Sequence, residues 1–273
     1  MQKLGQHFLK NKNVAVKIID ALALRDGDAV FEIGPGHGEL TLPLAAACRE
    51  TGCFLAAIEK DPTLADKLSI KLKNDGFKNV EAQKGDALKQ LPLLVSKYRS
   101  VGVSKYLLVG NIPYYITGHL LRVVSELDDK PERSVFMVQK EVAERIAARP
   151  PKMNRLAASV QFWAEPKTIA NVPKNDFRPA PKVDSAIILL SKKDSPAPCN
   201  ADNYYAAVRI LFGQPRKTIL NNVTARLPRR PNAADASNRF VSGELEKIGI
   251  DPKCRPQNLS VENIADIAKT FFF

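Results

Sequence analysis

Apolar positions along the first half of the chain alternate between two rhythms. Val14, Ile18, Ile19 and Leu22 fall on one helical face within residues 13–24, and similar helical spacing recurs at 40–48, 62–74, 119–126 and 141–148. Between them lie short, largely apolar runs at 28–33, 54–58, 106–109 and 134–138 and the shorter mixed stretch 79–83, each read as a strand. Repeated β-α units of this kind predict an α/β fold, with a mainly parallel sheet covered by helices on both faces. A late strand is expected over Val183–Ser191, followed by Asp194-Ser-Pro-Ala-Pro-Cys-Asn200, which has the composition of a linker. Beyond it only helical stripes remain: Val208, Leu211 and Phe212; Ile219, Leu220, Val223 and Leu227; Val261, Ile264, Ile267 and Phe271. The pattern therefore predicts two domains, an α/β domain over 1–194 and a small all-helical domain over 195–273. The terminal Phe271-Phe272-Phe273 is read as docked core.

Charge changes this picture. The chain has 273 residues, with 41 Lys and Arg against 29 Asp and Glu, for a net charge of +12. The excess is not evenly spread. No acid occurs between Asn203 and Ala234, where Arg209, Arg216, Lys217, Arg226, Arg229 and Arg230 all fall. Uncompensated cations clustered in this way predict a phosphate-binding face and a nucleic-acid partner. Other classes fall away. The longest apolar run, Leu40–Cys48, is broken by Thr41 and Pro43 and is far too short for a bilayer, so no membrane association is expected. The opening MQKLGQHFLKNKN lacks a signal-like apolar core, and four cysteines show no CxxC spacing, which together predict a cytoplasmic protein. With three scattered histidines, no metal site is expected.

Candidate chemistry concentrates at the ends of the predicted strands. Glu32-Ile-Gly34-Pro-Gly36-His-Gly38 joins a strand to a helix, where glycines let a ligand approach the backbone closely. Glu59 closes the second strand, placed to accept from two ribose hydroxyls, and Asp86 follows the third, placed to accept from an adenine amine. No second glycine pattern or basic residue answers a pyrophosphate. A nucleoside joined to an amino acid fits better than a dinucleotide, and S-adenosylmethionine is such a molecule.

The sharpest signal is Gly110-Asn111-Ile112-Pro113-Tyr114-Tyr115 after the fourth strand. The N6 amine of adenine is a poor nucleophile because its lone pair is delocalised into the ring. The Asn111 side-chain oxygen and a carbonyl next to Pro113 could hold its two N–H bonds, while Tyr114 stacks on the base. Positioning and electrostatics then supply most of the catalysis, without a strong general base.

At these residues the chain resembles the ribosomal RNA small-subunit adenine N6,N6-dimethyltransferase family. The matching stretches are 5–9, 32–38, 111–114, 137–142, 177–186, 216–219 and 249–252, so the resemblance spans nearly the whole chain. It implies a Rossmann-like methyltransferase domain with a helical rRNA-binding domain. The implied activity is N6,N6-dimethylation of two adjacent adenosines near the 3′ end of small-subunit rRNA, within a pre-assembled subunit, by a monomeric enzyme. Carried onto this sequence, it adds His7 and Leu9 to the cofactor pocket of Gly34, Gly36, Glu59, Asp86 and Asn111, and makes Phe177 the second stacking face for the target base. Lys140 and Lys182 fall inside matched stretches and can reach phosphate. Three departures stand out. His7 replaces a frequent asparagine, Met153-Asn154 stand where a target-loop Tyr-Gly is usual, and Pro215 replaces an arginine at a position read as the first turn of a helix. Two other readings remain: a large-subunit adenine methylase of the antibiotic-resistance type, and a non-catalytic ribosome-assembly or RNA-binding factor on the same fold.

Overall fold

The computed structural model describes residues 7–103, 105–194, 198–226 and 234–272, and the chain divides into two compact units. The first comprises residues 1–144 and 165–192. It runs β1 (Phe8–Leu9), α1 (Lys12–Leu22), β2 (Ala29–Ile33), α2 (Thr41–Thr51), β3 (Phe54–Glu59), α3 (Pro62–Asn74), β4 (Val80–Lys84), α4 (Ala87–Ser100), β5 (Tyr106–Asn111), α5 (Thr117–Glu126) and β6 (Arg133–Gln139). After α6 (Lys140–Ile146), whose last two residues belong to the second unit, come β7 (Ala164–Val172), whose first residue also belongs to the second unit, β8 (Phe177–Arg178) and β9 (Ser185–Lys192).

Seven strands form one sheet in the order β4-β3-β2-β5-β6-β9-β7, parallel from β4 through β6, with β9 antiparallel to β6. Every residue of β2 is buried, as are most of β3, β5 and β6, which is why these segments read as apolar runs without alternation. The chain leaves β2 first toward β3 and β4 and returns to pair β5 on the other side of β2. That reversal opens a crevice beyond the carboxyl ends of β2 and β5, where ligands collect in such sheets. A separate two-stranded ribbon, β1 with β8, pairs Phe8 with Arg178 and Leu9 with Phe177.

Caps explain the helix starts. Asp61 accepts from Thr63 and Leu64 ahead of Pro62 in α3, and Asp86 accepts from Leu88 at the start of α4. The helix α4 and the strand β7 have no counterpart in the sequence reading, since polar residues interrupt the apolar spacing in both.

The second unit, residues 145–164 and 193–273, holds α7 (Arg155–Gln161), α8 (Ala201–Leu211), α9 (Ile219–Thr224), α10 (Ala234–Lys247) and α11 (Val261–Phe271). Its helical character agrees with the sequence reading, but a single cut near residue 194 does not describe it. Met153, Ala157, Ala158 and Phe162 pack into the same apolar cluster as Tyr204, Val208 and Leu211. The Tyr204 hydroxyl donates to the Ala158 carbonyl at 3.0 Å, and the Met153 amide donates to the Gln257 carbonyl at 3.0 Å. These pairings join residues far apart in sequence, which no local pattern reveals. Met153 is accordingly core, and Asn154 caps α7 through Leu156 and Ala157, so this departure has a structural role. Pro215 lies in a turn closed by the Lys217 amide on the Gln214 carbonyl, not in the first turn of α9. Proline suits that second turn position because its φ is fixed. Phe271 and Phe272 pack on the helical cluster, while Phe273 lies outside the described residues.

Gly110 sets how closely β5 approaches β2. A Cβ at that position would stand 2.5 Å from the Ile33 carbonyl oxygen, a backbone atom that cannot move without shifting the sheet. Gly110→Ala should destabilise the protein by about 1–3 kcal/mol, read as a lower denaturant midpoint with an unchanged slope.

Candidate active site

Nine of the sequence-predicted residues line one cavity at the crevice: His7, Leu9, Gly34, Gly36, Glu59, Asp86, Asn111, Pro113 and Tyr114. They arrive from the carboxyl ends of β3 and β5, from the loops after β2, β4 and β5, and from the segment at β1. The glycine loop is shaped by φ values that L side chains rarely adopt, +69° at Gly34 and +60° at Gly36. A Cβ on Gly36 would also press on the Phe8 ring at 3.1 Å.

Glu59 is 4% exposed and holds two main-chain segments together. Its Oε2 accepts from the Gly36 amide at 3.0 Å, and its Oε1 accepts from the Asp61 amide at 2.9 Å. Each oxygen keeps a second lone pair for a ligand hydroxyl. Asp86 is divided in the same way, with Oδ1 on the Leu88 amide at 3.0 Å and Oδ2 on the Lys60 ammonium at 3.1 Å. Burial pulls this carboxyl upward. The Lys60 hydrogen bond and the Leu88 amide outweigh that, and hold it below its ordinary value.

Asn111 closes β5. Its Nδ2 donates to the His7 carbonyl at 2.9 Å. A carbonyl can only accept, so this bond fixes the amide with its NH2 toward His7 and leaves Oδ1 as the outward acceptor. The His7 ring is held in turn, its Nδ1–H donating to the Pro179 carbonyl at 2.8 Å. Tyr114 follows in a short 3-10 turn (114–116). Its hydroxyl lies 2.9 Å from Ser185 Oγ, and its ring stands 6.0 Å from that of His7. Burial raises the Tyr114 hydroxyl, so the ring presents a neutral face.

Phe177 departs from its expected place. It is 3% exposed, packed in the apolar cluster with Leu9 and Val172, and is not on the cavity wall. An aromatic ring buried among aliphatic side chains has no free face for a base. Conversely, Glu32 and Lys60 line the cavity without having been singled out for a role. The signal for Glu32 was an acid inside the apolar run Ala-Val-Phe-Glu-Ile. It is 1% exposed, and its Oε2 has no hydrogen-bond partner among the described residues. Burial, reinforced by Glu59 and Glu39 and opposed by Thr41, raises its carboxyl to about 8.

The cavity suits S-adenosylmethionine. Its wall is rich in acceptors, Glu59 and Asp86 each offer carboxylate oxygens, and the orphaned buried Glu32 oxygen leaves a polar group without a protein partner among the described residues. Lys60, a cation on the wall, is already paired with Asp86, and two glycines leave room beside the backbone.

The model of the ribosomal RNA adenine dimethylase family matches residues 1–271. The chain belongs to this family. Family membership makes it an S-adenosylmethionine-dependent methyltransferase. Two similar relatives are both called ribosomal RNA small subunit methyltransferase A. The one from Anoxybacillus flavithermus is 36% identical over 99% of this chain and 90% of the relative, and the one from Dehalococcoides mccartyi is 37% identical over 95% and 84%. Among solved structures, a dimethyladenosine transferase from Plasmodium falciparum is 26% identical, with a TM-score of 0.79 and 97% of each chain covered. The 23S rRNA methyltransferase ErmE, at 24% identity and a TM-score of 0.70 over 97% and 99% of the chains, shares the fold.

In this adenine dimethylase the four described cations of the acid-poor stretch, Arg209, Arg216, Lys217 and Arg226, are exposed. Arg229 and Arg230 lie outside the described residues. Exposed Lys140 and Lys182 belong to the first unit. Among the described residues no group of three His, Cys, Asp or Glu could hold a metal ion, and no helix is long and apolar enough to cross a membrane.

Glu32 predicts a pH dependence of stability. Its folded value lies above the ordinary glutamate value of 4.5, so between pH 4.5 and about 8 the folded state holds a proton that the unfolded state has released. Stability from this group is full below 4.5, falls through that window, and levels off above 8. Glu32→Gln should remove that slope, so that the stability gap between variant and wild type widens by a few kcal/mol from pH 5 to pH 8 in denaturant titrations.

Proposed function

We propose that the protein transfers methyl groups to N6 of two adjacent adenosines near the 3′ end of small-subunit rRNA, acting in the cytoplasm as a monomer on a pre-assembled subunit. The observation that carries this reading is the Asn111 amide. The His7 carbonyl takes its donor side, and its acceptor oxygen sits at the end of β5 beside Pro113 and Tyr114. An amine with two N–H bonds needs two acceptors, and Asn111 Oδ1 with the main-chain carbonyl beside Pro113 supplies them. Hydrogen bonds to both N–H groups draw the nitrogen lone pair out of conjugation with the ring. Tyr114, anchored through Ser185, offers a stacking face of fixed orientation. Glu59 and Asp86 hold the nucleoside end of the cofactor, and Leu9, Gly34, Gly36 and His7 complete its cradle. Bound S-adenosylmethionine supplies a methyl group made electrophilic by the sulfonium. The target adenosine must leave its stack to enter, at a cost of a few kcal/mol. Exposed cations Arg209, Arg216, Lys217 and Arg226 supply sequence-independent hold on phosphate, and Arg229 and Arg230 of the same stretch add to it. The small-subunit target is supported by the shared name of the two relatives, each more than a third identical over most of its length.

Transfer of labelled methyl groups to unmethylated small subunits, read as N6,N6-dimethyladenosine after digestion, tests the reading. Asn111→Ala should lower single-turnover transfer by about a hundredfold to a thousandfold, with cofactor affinity falling less. Subunit pull-down should be nearly unchanged in that variant. Retained transfer would make the turn after β5 structural and move the chemistry to another residue.

Replacing Arg209, Arg216, Lys217 and Arg226 together by glutamine should flatten the dependence of log affinity on log salt for RNA. An unchanged slope would place these four side chains against solvent only.

A further inference from the structure

A second, shallower groove adjoins the cofactor cavity and shares Phe8, Leu9 and Glu39 with its wall. Its other lining includes Lys10, His37 and Arg178, all exposed. The ribbon of β1 and β8 places them, since Phe8 pairs directly with Arg178 and the Lys10 amide donates to the Asp176 carbonyl at 2.7 Å. From the opposite side, the glycine loop brings His37 against Phe8, ring centroids 4.3 Å apart and planes at 48°. Among the described residues neither Lys10 nor Arg178 makes an ion pair. The groove thus combines two uncommitted cations with a pair of rings, next to the place where the methyl group is transferred.

We propose that this groove binds the nucleotide next to the target adenosine on the RNA strand. Its phosphate lies between Lys10 and Arg178, and its base stacks on the Phe8–His37 pair. This rests on the adenosine-methylating reading above. The cations point to a phosphate, because Lys10 and Arg178 make no ion pair among the described residues and face one groove together, outnumbering its single acid, Glu39. The rings point to a base, since stacking on aromatic faces tolerates any sequence. Continuity with the cavity through Phe8 gives the reason for a flanking nucleotide. A strand with one base in the cavity must pass its neighbouring phosphate over the rim. The groove also accounts for Phe8, which packs against the glycine loop and so touches both spaces.

The test uses the full chain with Lys10→Gln/Arg178→Gln and, separately, His37→Ala, none of which belongs to the cofactor cradle. Short single-stranded RNA containing two adjacent adenosines is the binding probe, and unmethylated small subunits are the substrate. In the double variant the slope of log affinity against log salt should fall by roughly 1–2. His37→Ala should weaken RNA binding about tenfold. Both should raise KM for the subunit while leaving calorimetric affinity for S-adenosylmethionine unchanged. Wild-type slope, RNA affinity and KM in both variants would overturn the proposal. So would a loss of cofactor affinity with unchanged RNA binding, which would assign the groove to the cofactor's amino-acid end. If the wild type transfers no methyl to small subunits, the functional reading fails, while the RNA salt slope still decides the groove.

Discussion

A single buried carboxylate fixes the cavity. Glu59 ends β3 and accepts one backbone amide from the glycine loop after β2 and another from the start of α3. Charge-assisted bonds of this kind are short and about twice as strong as neutral ones, and here the one to Gly36 is buried while the one to Asp61 is part-buried. Because β2 and β3 are paired from Ala29–Phe54 to Ile33–Ile58, the position of the sheet sets the position of the carboxylate. The carboxylate then sets the loop. The loop's positive φ angles are affordable only to glycine, and Gly36 must also clear the Phe8 ring. The floor of the cavity is therefore set by the parallel sheet.

The end of β5 depends on a second long-range bond. Asn111 and His7 are far apart in sequence, yet one hydrogen bond decides which end of the Asn111 amide is turned away from His7 as a free acceptor. His7 is itself held by Pro179, and Tyr114 by Ser185, so three separate chain segments converge on the end of β5. Preorganised acceptors of this sort cost no reorganisation when a ligand arrives. The acids are kept apart in function by their surroundings. Lys60 and the Leu88 amide keep Asp86 ionised, whereas Glu32, buried without a counter-charge, retains its proton to about pH 8.

Much of this was legible in the chain. The apolar runs marked β2, β3, β5 and β6, because strands buried on both faces need no polar alternation. The glycines, Glu59 and the Asn111–Tyr114 turn each stood at the end of such a run, and Asp86 followed the mixed strand β4; the end of a parallel strand is where a ligand is met. What the residues next to one another in sequence could not decide was which distant groups they would touch. Phe177, read as a stacking face, is drawn into the core by pairing with Leu9. Residues 145–164 join the helical unit because Ala158 and Met153 find Tyr204 and Gln257. Lys60 reads as an ordinary surface lysine until β4 brings Asp86 to its ammonium. The sequence by itself determined most of the elements, though not α4 or β7, and the residue types at the strand ends, since these follow from local periodicity and residue type, while its motifs carried the resemblance to the family. Only the tertiary structure decided the orientation of Asn111, the charge state of Glu32 and the place of Phe177, because hydrogen-bond direction, desolvation and burial are set by neighbours that the chain order does not reveal.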